Sequence, residues 1–144
     1  MINLIKMVET FYFDTSIWLD FFENRDEPNL PKGRLVHELL NKITRTDAKV
    51  IYSDHNIFEL VSVGYSPYEI NDMFKPLKLI LIFIEATEKE IRKAKDLATK
   101  RNIPKGDALH ALITRDNKAI LVTLDKHFKE VPDIIKPKRP QDLI

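Results

Sequence analysis

Asp14, Glu59, Asp107 and Asp125 are carboxylates set where a folding chain has little use for them. Asp14 ends the apolar run Phe11-Tyr12-Phe13, and Glu59 interrupts Ile57-Phe58-Glu59-Leu60-Val61. Asp107 opens Gly106-Asp107-Ala108-Leu109-His110-Ala111-Leu112-Ile113, and Asp125 follows the strand-like Ala119-Ile120-Leu121-Val122-Thr123. Desolvating an ionised carboxylate is expensive unless it is paired, hydrogen-bonded or bound to a cation. Four such residues at the ends of predicted elements point to one shared hard-metal site. The chain has no cysteine and no evident histidine cluster, so its oxygen ligands select Mg²⁺ or Mn²⁺ over zinc. Such ions bridge to substrate phosphates and steady the attacking and leaving oxygens of an in-line displacement.

Each acid also has an ordinary structural explanation. Asp107 could be a helix N-cap. Asp14 could cap a helix beginning near Ile17, with Thr15 or Ser16 able to do the same. Asp125 could close an Asx-turn after its strand. Glu59, flanked by apolar residues, needs a basic partner, for which His55 is near in sequence. A single common site accounts for all four at once.

The elements that must position these residues alternate between strand-like runs and helical stripes, the pattern of an α/β fold with a parallel sheet. Strands are predicted at Thr10–Phe13, Val50–Ser53, Leu79–Ile84, Ala119–Thr123 and, more weakly, Asp133–Ile135. Most are continuous apolar runs, as expected when helices cover both faces. Helices are predicted from Ser16 to about Phe22, from Pro31 to Ile43 and from Asp54 to Val63. Further helices start after the capping signals Ser66-Pro67-Tyr68-Glu69 and Thr87-Glu88-Lys89-Glu90, and at Gly106-Asp107. The expected architecture is a three-layer α/β/α sandwich over residues 1–144. Its mainly parallel five-stranded sheet has the order 3-2-1-4-5. Asp14 and Asp125 then end neighbouring strands, where open α/β sheets bind their ligands. His110 can share a helical face with Asp107, although a core or dimer-face histidine is the ordinary reading; Trp18 reads as packing.

Size and composition describe one soluble domain: 144 residues, 44% hydrophobic and 31% charged. No apolar stretch is long enough to span a bilayer and no N-terminal signal pattern is visible, so a cytoplasmic protein is expected. The formal net charge of +1 argues against a globally basic nucleic-acid binder. The charges are nonetheless grouped. Lys89, Arg92, Lys93, Lys95, Lys100, Arg101 and Lys105 lead into Asp107, and Lys126, Lys129, Lys136, Lys138 and Arg139 follow Asp125. Cations beside an acidic centre either hold a phosphate backbone or solvate a helix face. Lys105 and Lys126, next to the acids, are the candidates for phosphate contact.

Taken in order, these segments resemble PIN-domain ribonucleases, above all the small VapC toxins. Phe13-Asp14-Thr15-Ser16-Ile17-Trp18-Leu19-Asp20 is similar to the family's first motif and Ile57-Phe58-Glu59-Leu60 to its second. Gly106-Asp107-Ala108-Leu109-His110-Ala111 resembles the helix of the third acid, and Leu121-Val122-Thr123-Leu124-Asp125-Lys126-His127-Phe128 the fourth motif. The resemblance implies that Asp14, Glu59, Asp107 and Asp125 hold Mg²⁺ or Mn²⁺, while Thr15, Ser16 and Thr123 steady the carboxylates. It further implies metal-dependent cleavage of RNA to 3′-hydroxyl and 5′-phosphate ends, homodimers, and a small VapB-like antitoxin that blocks the acidic site. An RNA-processing nuclease outside toxin systems and an inactive PIN-like binding module are the alternatives. A phosphatase of the haloacid-dehalogenase kind would need a second aspartate two positions after Asp14, where Ser16 stands. A response-regulator receiver would need paired acids before its first helix, and none are visible.

Overall fold

A computed structural model describes residues 8–144; residues 1–7, the start of the segment read for a targeting signal, lie outside them. The first strand, β1 (Thr10–Phe13), is followed by α1 (Thr15–Phe22) and α2 (Lys32–Thr44). Next come β2 (Lys49–Ser53), α3 (Asp54–Ser62), α4 (Pro67–Phe74) and β3 (Leu81–Ile84). The chain continues through α5 (Glu88–Arg101), α6 (Lys105–Asp116) and β4 (Ile120–Val122). The sheet order is β3-β2-β1-β4 and all its pairings are parallel. Phe11 lies between Val50 and Ile120, which places the carboxyl ends of β1 and β4 side by side.

Side-chain alternation along the strands feeds two cores, one on each face of the sheet. Phe11, Phe13, Val50 and Val122 point into a layer with Trp18, Leu39, Leu60 and Phe74, from α1 to α4. Tyr12, Ile51 and Leu121 point into the opposite layer with Leu97, Leu109, Leu112 and Ile113, from α5 and α6. The expected three-layer sandwich is present. Trp18 is fully buried among Phe13, Phe22 and Phe74, consistent with packing.

Two expectations change in detail. The predicted start of the third strand, Leu79 and Ile80, belongs to a 3₁₀ turn over Lys75–Ile80, and pairing begins only at Leu81. The predicted fifth strand, Asp133–Ile135, is a turn: the amides of Ile134 and Ile135 both donate to Val131 O, at 3.0 and 3.1 Å. The fifth sheet position is instead filled by a single parallel bridge between Val122 and Lys138. Pro137 and Pro140 flank that bridge, and without N–H groups they cannot extend the ladder.

Candidate metal centre

Asp14 stands where β1 passes into α1, its amide still in the sheet through a 3.2 Å bond to Val122 O. Its Oδ1 accepts from Ser16 Oγ at 2.9 Å and from the Ile17 amide at 3.1 Å, so it does cap α1. Its Oδ2 accepts the hydroxyl proton of Thr123, which follows β4. The Thr123 oxygen in turn accepts the Asp125 amide at 2.9 Å, tying the first acid to the fourth. Asp125 Oδ1 accepts the His127 amide at 2.9 Å, so this acid also has a capping duty. Asp107 has none. The cap position of α6 is Pro104, with no side-chain cap bond, and Asp107 lies within the first turn.

Glu59 is held most elaborately. Its Oε1 accepts from Thr15 Oγ1 at 2.6 Å and meets His110 Nε2 at 2.5 Å. Behind His110, Tyr12 Oη lies 2.6 Å from Nδ1 and 2.8 Å from Ser53 Oγ. Asn56 Nδ2 donates to Thr15 Oγ1 at 3.0 Å and to Phe13 O at 3.3 Å, locking the start of α3 to the end of β1. The expected basic partner, His55, is farther off, with Nε2 at 3.7 Å from Oε1. That nitrogen is buried and has no hydrogen-bond partner among the described residues.

All four acids, with Thr15, Ser16 and His110, line one open cavity of about 240 Å³. Ligand atoms of Asp107, Asp125 and His127 lie within 4.8 Å of one another, as do those of His55, Glu59 and His110. Asp14 belongs to neither triplet but faces the same cavity. Of the lysines singled out, Lys105 is exposed and outside this cavity, whereas Lys126 lines the neighbouring one.

The electrostatics divide the acids. Burial raises the Asp14 pKa, opposed by the Thr123 hydroxyl and the His110 charge. Burial and then the nearby Asp125 charge push Asp107 up to about 6. Burial also drives Glu59 upward, but the hydrogen bond and charge of His110, with the Thr15 hydroxyl, outweigh it and bring Glu59 down to about 2. Burial lowers the His55 pKa, reinforced by His110. His127, 3.0 Å from both Asp107 and Asp125, is raised chiefly by the Asp125 charge.

The four carboxylates of this cavity fit a hard divalent ion, and His55, His110 and His127 stand among them, a clustering the sequence did not show. Carboxylates that resist sharing negative charge gain most from a cation between them. Gly106 keeps the approach open: a Cβ there would lie 3.1 Å from both Glu59 Oε2 and His55 Nε2. Sequence reasoning missed the supporting parts of the site, namely Tyr12, Asn56, Gly106, His127 and the bond from His110. The spacing of His110 from Asp107 was the one signal available.

The PIN domain family model matches residues 11–134. The chain belongs to the PIN domain family. Solved structures with this PIN fold include a toxin–antitoxin complex from Klebsiella pneumoniae, 19% identical with a TM-score of 0.62 over 89% of this chain and 98% of that one. VapBC2 from Rickettsia felis, bound to a DNA fragment from its promoter, is 19% identical with a TM-score of 0.63, covering 88% of this chain and 96% of that one. VapBC-1 from nontypeable Haemophilus influenzae is 17% identical with a TM-score of 0.65, covering 92% and 98%. No curated protein sequence matches the chain. Among the described residues, no helix of this PIN domain is long and apolar enough to cross a membrane.

Proposed function

We propose that this PIN domain is a Mg²⁺- or Mn²⁺-dependent endoribonuclease and the toxin of a VapBC-type pair. The observation that carries the reading is the convergence of four carboxylates, from β1, α3, α6 and the end of β4, on one cavity. Asp14, Glu59, Asp107 and Asp125 would hold the ion. When bound, it would neutralise the phosphodiester and favour attack by water on phosphorus. The chain's own contribution is positional. Thr123 and Ser16 fix both oxygens of Asp14, and Thr15 and His110 hold Glu59 Oε1. The ionised Glu59 remains available to a cation at neutral pH. Thr15, Ser16 and Thr123 thus preserve carboxylate geometry rather than take part in proton transfer.

The toxin assignment draws on the VapBC complexes among the structural relatives. A VapB-like antitoxin is the matching partner, and a homodimer in the cytoplasm belongs to the same proposal. The test is hydrolysis of a panel of tRNAs and ribosomal RNA with Mg²⁺ or Mn²⁺ and with chelator. Wild-type protein is expected to cut only with the ion. Asp14→Asn is expected to abolish cutting while circular dichroism stays unchanged. A wild-type protein with neither cleavage nor divalent-ion binding would make this an inactive binding module.

A further inference from the structure

Beside the acid cavity lies a second one, of about 390 Å³, with the opposite charge. Asp125 is part of both linings, so the two cavities share a wall. The second is lined by Lys126, Lys129, Lys138 and Arg139. Arg139 is already committed to Asp142, with Nη2–Oδ1 at 2.8 Å and Nε–Oδ2 at 3.1 Å. The three lysines are exposed and have no ion pair among the described residues. Against these cations the lining sets only two carboxylates, Asp125 and Asp142, so the concavity carries an excess of positive charge, unlike a solvated helix face where both signs alternate.

The backbone carrying these cations is fixed. Lys138 donates its amide to Leu121 O at 2.8 Å and accepts the Thr123 amide at 2.9 Å, which holds it against β4 next to the acids. Pro137 and Pro140 stiffen the chain on either side. Lys126 and Lys129 ride on a 3₁₀ turn, Lys126–Glu130, anchored by the fully buried Phe128. The backbone beneath these cations is therefore set beside the acid cavity before any ligand arrives.

We infer that this cavity is a phosphate-binding subsite for single-stranded RNA, seating a backbone phosphate next to the one cleaved, on the Asp125 side. The inference rests on the nuclease reading and adds a direction to it. The strand leaves the acid cavity past Asp125 and crosses the lysines. A polyanion entering the acids alone would be repelled, and the adjacent positive wall offsets that repulsion.

The test uses full-length Asp14→Asn protein with Mg²⁺ and a fluorescent single-stranded oligoribonucleotide, with anisotropy read over a series of KCl concentrations. Neutralising Lys126, Lys129 and Lys138 to Gln is expected to weaken binding and reduce the log–log salt slope by about 0.7, the value for one lost phosphate contact on a single strand. Neutralising the exposed Lys75, Lys78 and Lys118 alters net charge equally and is expected to leave that slope in place. Melting curves confirm that both triple variants fold. An unchanged slope in the cavity variant, or an equal fall in the control, overturns the subsite. Wild-type cleavage, measured in parallel, separates the two failures. Cleavage with an unaffected cavity variant removes only the subsite, whereas neither cleavage nor RNA binding removes the nuclease reading with it.

Discussion

Glu59 occupies an apolar stretch of α3, and burial alone would favour its protonated form. His110 reverses that balance through a 2.5 Å contact. An ionised carboxylate only accepts, so Nε2 must donate, and the ring is then oriented from behind by Tyr12. Removing the Tyr12 hydroxyl leaves the buried His110 Nδ1 without its partner, while Ser53 Oγ keeps its bonds to Asn56. Tyr12→Phe is expected to destabilise the protein by about 1–3 kcal/mol. It should also weaken divalent-ion affinity roughly 10- to 100-fold, as loss of an outer support does. Chemical denaturation and calorimetric titration check the two effects separately. Unchanged ion affinity would confine Tyr12 to a packing role. At this scale the acids were legible because each interrupts or borders an apolar run. His110 was not, because Glu59 and Tyr12 lie 51 and 98 positions away and only the fold joins them.

At the scale of elements, capping and periodicity located the helices, since Ser66 and Thr87 each close a local capping box that depends on nothing distant, whereas the box of Ser53 with Asn56 was seen only in the structure. The ends of the sheet were less legible. Ile134 and Ile135 carry a strand-like composition, yet their amides are spent in a turn, and composition does not report where an amide donates. Loop packing was hidden for a similar reason. Gly33, in the first turn of α2, lies against Asn24, whose φ of 48° marks the bend after α1. A Cβ at Gly33 would come within 2.8 Å of the Asn24 Cα and carbonyl carbon. Gly33→Ala is therefore expected to cost about 1–3 kcal/mol, the range for overpacking against atoms that cannot move aside. Urea denaturation checks this, and a neutral outcome would mean that the α1–α2 connection yields freely.

For the whole molecule, the acids pull stability in opposite directions with pH. Glu59, lowered from 4.5 to about 2, contributes stability that is fully present above pH 4.5 and lost as pH falls toward 2. The melting-temperature advantage of wild type over Glu59→Gln, measured without metal, should shrink across that window. Asp107, raised from 3.8 to about 6, does the reverse: its ionisation opposes folding as pH rises through that interval. A bound cation removes that opposition and must first displace the proton. Divalent-ion affinity is thus expected to climb between pH 5 and 7 and then level off, with proton release seen by calorimetry in two buffers. Asp107→Asn should flatten the climb. Parallel pairing has one more effect at this scale. β1, near the start of the chain, pairs with β4, which follows more than a hundred residues later. Asp14 meets its Thr123 donor only once that late segment has emerged from the ribosome, and Lys138 emerges later still. A nascent polypeptide halted before this point would lack the fourth acid and the hydroxyl holding the first, so the acid cavity is completed only by the last fifth of the sequence.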